Sequence, residues 1–169
     1  MSSLLSFPSP SSADIADFDI SDLLQEVCEA LERESLRRRV PIEVDAPPYT
    51  MVRGDRRTLR LLLTRLIGNA LSASPAGSEI VVTAYSDEQG VEVEVADDRS
   101  EPVELLIDSG LAGVAGAGEA RPMPWSEVQQ IAAACGGRIS VSSCPEGGVA
   151  MSVQFPRITD ADAGSRRAA

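Results

Sequence analysis

A chain of 169 residues is the length of one domain and can bury a core without disulfides or metal. It carries 26 acidic against 15 basic residues, a net charge of −11, which repels polyphosphate backbones and anionic membrane, so nucleic acid is not expected as a partner. It has no histidine, so no imidazole can act here as base, metal ligand or phosphoryl acceptor. The three cysteines, Cys28, Cys135 and Cys144, are odd in number and share no CxxC spacing, which argues against a disulfide framework or a zinc site. No apolar run approaches the ~18 residues of a membrane span, and the start lacks the basic and apolar regions of a signal peptide. A cytoplasmic chain with reduced thiols is expected.

Residues 1–18 hold six serines and two prolines and read as a flexible tail. Residues 158–169 are small and polar and read the same way, leaving 19–157 as one domain. Leu23, Leu24, Val27, Cys28 and Leu31 recur at helical spacing, which predicts a helix over 21–39. Asp22 and Gln25 resemble a capping box at its start. Arg37, Arg38 and Arg39 suit the negative end of its dipole, or form an anion site. A short strand is expected over 41–45, a turn at Pro47-Pro48, and a second short strand over 51–53.

Asp55 is a natural N-cap for the strongest helix, whose Leu59, Leu62, Leu63, Leu66, Ile67, Ala70 and Leu71 form one broad apolar face. Thr58, Leu61, Arg65, Asn69 and Ser72 lie along a neighbouring stripe, and Ser74–Gly77 ends the helix. Strands follow over 80–86 and 91–96, with Val91, Val93 and Val95 on one face and Glu92 and Glu94 on the other. The long stretch 98–124 is rich in Gly, Ala and Pro and has one short apolar run at 103–107, and connections of that length are functional or mobile. Ser126 and Gln129 cap a last helix, which Gly136-Gly137 stops. A hairpin over 138–143 and 149–155 closes the domain. Antiparallel hairpins beside segregated helices predict an α+β two-layer sandwich, with a mixed, mostly antiparallel sheet packed on about three helices.

Four stretches then resemble one family. They are DISDLLQEVCEALERESLRRRVPIEVD, VRGDRRTLRLLLTRLIGNALSASPAGSEIVV, VEVEVADD and AAACGGRISVSSCPEGGVAMSVQFP. Together they cover residues 19–157 and resemble the ATP-binding (Bergerat-type, GHKL) domain of sensor histidine kinases, the fold shared with gyrase, Hsp90 and MutL. The resemblance implies that Asn69 is the N-box asparagine, whose amide oxygen holds a phosphate-bridging Mg²⁺. It implies that Asp97 accepts the adenine amino group. Arg65 stands where the family has another polar group, and Ser72 where kinases often carry a basic residue. Read without the resemblance, Asn69 is a helix-surface amide and Asp97 a strand-end carboxylate.

Here the chain departs from the family. The glycines expected after Asp97 are replaced by Asp98-Arg99-Ser100-Glu101-Pro102. Arg99 and Glu101 thus add side chains where a base needs room. The second glycine box falls on residues 120–125, where Pro122 and Pro124 remove backbone donors that would wrap phosphate. Gly113, Gly116 and Gly118 offer either a shifted lid or plain flexibility. Arg65, one turn before Asn69, either is exposed or pairs with Asp97, Asp98 or Glu101 and fills the site as a fixed cation. ATP and Mg²⁺ are expected to bind weakly at most.

Two functions remain. One is a degenerate, non-catalytic module of a bacterial two-component pathway that binds a kinase, phosphotransferase or response regulator. The other is a working ATP-binding domain of a sensor kinase that phosphorylates a histidine on another chain. An α+β domain that merely looks similar is the blander alternative.

Overall fold

The computed structural model describes residues 15–111 and 122–159. Gly113, Gly116 and Gly118 lie outside the described residues, as do Ala120 and Arg121 of the expected second glycine box.

The first element is a strand, β1 (Ile15–Asp19), which pairs antiparallel with β3 (Met51–Asp55). This corrects the expected N-terminal tail, which does not extend through residue 18. The strand is short, and its partner lies far along the chain, so no local pattern marks it. Helix α1 (Ile20–Arg38) begins at Asp19, not at Asp22: the Asp19 carboxylate accepts from Ser21 N–H at 3.0 Å. Asp22 instead sits in the first turn, where its charge suits the helix dipole. Ile20, Leu23, Leu24, Val27 and Leu31 form the buried stripe. Arg39 ends the helix at φ 59°.

Strand β2 (Ile42–Asp45) precedes β3, and helix α2 (Arg56–Ala73) follows it. Asp55 caps α2 as the sequence indicates. Its carboxylate accepts from Arg57 N–H at 3.0 Å and from Thr58 Oγ1 at 2.6 Å. Helix α2 is central: residues 65–71 are all buried, because α1 and α4 (Trp125–Ala134) pack beside it and β5 (Gly90–Asp97) lies beneath it.

The main sheet has the order β2-β4-β5-β7-β6, with β4 (Ile80–Ser86), β6 (Arg138–Ser143) and β7 (Val149–Pro156). Only β2 and β4 run parallel; the other neighbours are antiparallel. The inner face carries Ile80, Val82, Val93, Val95, Met151 and Val153, all buried against the helices. The outer face is polar, with Gln154 donating to Glu92 at 2.9 Å and Ser152 to Glu94 at 3.3 Å. The result is the expected α+β two-layer sandwich.

The connection after β5 differs from the expectation of a loop with a short apolar run. It contains helix α3 (Val103–Ser109), which buries Val103 and Leu106 and ends at Gly110. Gly110 has φ 74°, and a Cβ there would lie 2.2 Å from Met123 O, so only glycine fits. Leu111 and Met123 exchange two backbone hydrogen bonds of 2.7 Å, and both side chains are buried. Helix α4 starts at Trp125 with Pro124 in the cap position, so Ser126 and Gln129 lie inside the helix and do not cap it.

Candidate functional site

Strand periodicity brings the site together. Asp97 shares its parity with Val91, Val93 and Val95, so its side chain lies on the inner face, toward the helices. Asn69 lies in the last half of α2, among the residues that are buried on every side. Both are buried, with relative exposures of 3% and 4%.

Arg99 joins them. Its Nε donates to Asp97 Oδ1 at 2.8 Å and Oδ2 at 3.0 Å, and its Nη2 donates to Asp97 Oδ2 at 2.5 Å. Nη2 also donates to Asn69 Oδ1 at 2.8 Å. The backbone N–H of Arg99 donates to Asp97 Oδ1 at 3.0 Å, a turn in which the Asp side chain grips the chain two residues on. That turn aims the arginine back at its own carboxylate. The Arg99 side chain is 3% exposed and that of Asp97 fully buried, so the pair is a desolvated fork-to-carboxylate contact.

The cation seated on Asp97 and Asn69 is Arg99, where the expectation had Arg65 paired with Asp97, Asp98 or Glu101. Arg65 is nevertheless buried, at 3% exposure, which overturns the alternative that it is a surface arginine. Ser72, one turn beyond Asn69, is half-buried and lines a cleft of about 270 Å³ beside the cluster. The cleft also touches Asn69, Arg99, Glu101, Leu105 and Leu106. The structure thus brings Asn69, Asp97 and Ser72 to one place. Sequence reasoning noted that Arg99 intrudes there but missed its partners. The Asp-x-Arg spacing was the available signal.

Other features do not compete. A hollow of about 410 Å³ lies at the opposite end of β5, and the charged and polar side chains that line it, Asp87, Gln89, Glu92, Arg138 and Gln154, are none of them buried. Burial pushes the Cys28 thiol up to about 11 and, with Asp55 nearby, Cys135 up to about 12, so neither is a ready nucleophile. Among the described residues no group of three or more Cys, Asp or Glu could hold a metal, and no helix is long and apolar enough to cross a membrane.

Known proteins share this architecture. The catalytic domain of histidine kinase ThkA superposes with a TM-score of 0.70 at 22% identity, over 85% of this chain and 97% of that one. The ATP binding domain of PrrB from Mycobacterium tuberculosis gives 0.67 at 23% identity, over 86% and 99%. In sequence, the chain is 32% identical over 152 residues to the sensor protein kinase CarS of Pseudomonas aeruginosa, covering 83% of this chain and 32% of CarS. It therefore spans about a third of that relative's length. Residues 54–159, from the cap of α2 past the end of β7, match the family described as histidine kinase-, DNA gyrase B-, and HSP90-like ATPase, and the chain belongs to that family.

Proposed function

We propose that this chain is a degenerate histidine-kinase-type ATPase domain, a non-catalytic module that binds a signalling partner in a bacterial two-component pathway. The observation that carries this reading is the Arg99 guanidinium seated on Asp97 and Asn69. The family resemblance gives Asp97 to the adenine amino group and Asn69 to Mg²⁺. Here both Asp97 oxygens accept from Arg99, and the Asn69 oxygen accepts from the same guanidinium. A divalent cation at Asn69 would sit beside a buried positive charge, and among the described residues no cluster of carboxylates offsets it. The residues present do not fit the metal or the base.

Pro122 and Pro124 support the same reading. They supply no N–H of their own to a phosphate, and Pro124, in the cap position of α4, offers no side-chain hydrogen bond there. With the nucleotide route closed, the retained fold serves as a surface for a kinase, phosphotransferase or response regulator.

Isothermal titration with Mg·ATP and Mg·ADP tests the reading. Losing two charge-assisted contacts weakens a micromolar site by roughly a hundredfold or more, so no saturable binding tighter than about 100 μM is expected. A dissociation constant below about 10 μM overturns the reading and restores the catalytic alternative.

A further inference from the structure

We infer that Asp97 and Asn69 form a receptor for guanidinium and amidinium groups, with Arg99 as its built-in ligand. Any occupant of the adjoining cleft that is to reach Asp97 must then displace this arm. The inference rests on the reading that the site is filled from within.

The geometry selects the chemistry. Three acceptor oxygens, two from Asp97 and one from Asn69, meet the Nε and Nη2 edge of one planar group. A planar fork with donors on adjacent nitrogens satisfies all three at once, whereas an ammonium presents its donors from a single atom. The acceptors are held in place. Asp97 closes the last register position of β5, paired with Ile80 on one side and Val149 on the other. Gly148 approaches so closely that a Cβ would lie 1.9 Å from Asp97 O. Asn69 is fixed within residues 65–71 of α2, all of which are buried. A fully buried carboxylate without its cation is strongly unfavourable, so the pocket requires a positive partner. The cleft of about 270 Å³ touches both Arg99 and Asn69 and offers a free ligand a route to it.

The test uses the full chain with Arg99→Ala and ethylguanidinium chloride, which reproduces the deleted atoms from Cγ outward. Thermal unfolding and calorimetric titration are followed in parallel. The variant is expected to melt about 10 °C below the parent. Ethylguanidinium at about ten times its dissociation constant is expected to restore about 4 °C, saturably, while leaving the parent unmoved. Propylammonium at the same concentration is expected to restore less than half as much. Adding Asp97→Asn to Arg99→Ala removes the buried charge and is expected to abolish the response. Equal rescue by both cations, no rescue, or an undiminished response of the double variant overturns the inference. If Arg99→Ala does not fold in plain buffer, refolding is carried out with each cation. Recovery with ethylguanidinium alone supports the receptor, and recovery with neither or with both overturns it. Tight Mg·ATP binding by the parent chain would instead defeat the non-catalytic reading, and that measurement is independent of the variant's choice between cations.

Discussion

Gly147 and Gly148 are neighbours with similar backbone angles, φ 101° and 91°, and different surroundings. A Cβ on Gly147 would meet nothing within 4 Å, whereas one on Gly148 would lie 1.9 Å from Asp97 O. Gly147→Ala is therefore expected to cost only the left-handed penalty, about 1–2 kcal/mol. Gly148→Ala adds a backbone collision on top, for a total of about 3–4 kcal/mol. Urea unfolding of the two variants measures the difference, and equal costs would mean that the turn before β7 does not press on Asp97 as described. Residue identity in the sequence foretold only part of this cluster. Asn69 and Asp97 stood out through the family resemblance, since periodicity alone makes them only a helix-surface amide and a strand-end carboxylate. Arg99 was legible as an intruder, yet its contact with Asn69 spans 30 residues of chain, and no local spacing encodes that. Arg65 drew attention because helical geometry places it one turn from Asn69, a relation that periodicity does give.

At the scale of elements, the last turns of α1 show how charge is arranged on a helix. Arg37 Nε donates to Glu34 Oε2 at 2.9 Å, and Arg37 Nη2 and Arg38 Nε also donate to the Glu34 carboxylate. The hydrogen bond from Arg37, and then Arg38, holds Glu34 down to about 2 from its ordinary 4.5. A carboxyl lowered by folding stabilises the fold above its unfolded value and loses that contribution as pH falls toward its folded value. The stability gap between the parent and Glu34→Gln is therefore expected to be constant above about pH 5 and to shrink between 4.5 and about 2. Urea titrations across that range measure it, and a gap that grows on acidification would contradict the assignment. Arg37 and Arg38 thus serve local pairing within α1, while Arg39 is its cap residue. Long elements such as α1, α2 and the strands of the two hairpins were legible because each repeats its pattern over two turns or more, or over four or more alternations. Helix α3 has seven residues between Pro102 and Gly110, too few to establish a period. Strand β1 has five, and it exists because β3 offers an edge to it.

Across the whole molecule two electrostatic regimes coexist, and salt separates them. The surplus of 26 acidic over 15 basic residues gives a net charge of −11, spread over exposed surface where its self-repulsion is long-ranged. Opposing it are surface pairs such as Arg56 with Glu26, both side chains 41% exposed, and Arg37 with Glu34, where the arginine is 62% exposed. Such pairs are worth little each and are themselves screened, so the unpaired surplus decides the sign. Raising NaCl from about 20 mM to about 0.5 M shortens the screening length from more than 20 Å to below 5 Å. The melting temperature of the parent chain is expected to rise over that range. The Asp97–Arg99 contact belongs to the other regime, since neither side chain has more than 3% of its surface exposed. With Arg99 in place salt screens it little, and its contribution depends on geometry and desolvation. The deficit of Arg99→Ala relative to the parent is therefore expected to stay constant while both proteins gain stability with salt. Melting curves of the pair at four or five salt concentrations measure both slopes. Parallel rising lines place the Arg99 contact in the interior, little screened by salt, while lines that converge with salt would mean that Arg99 acts at the surface by relieving net negative charge.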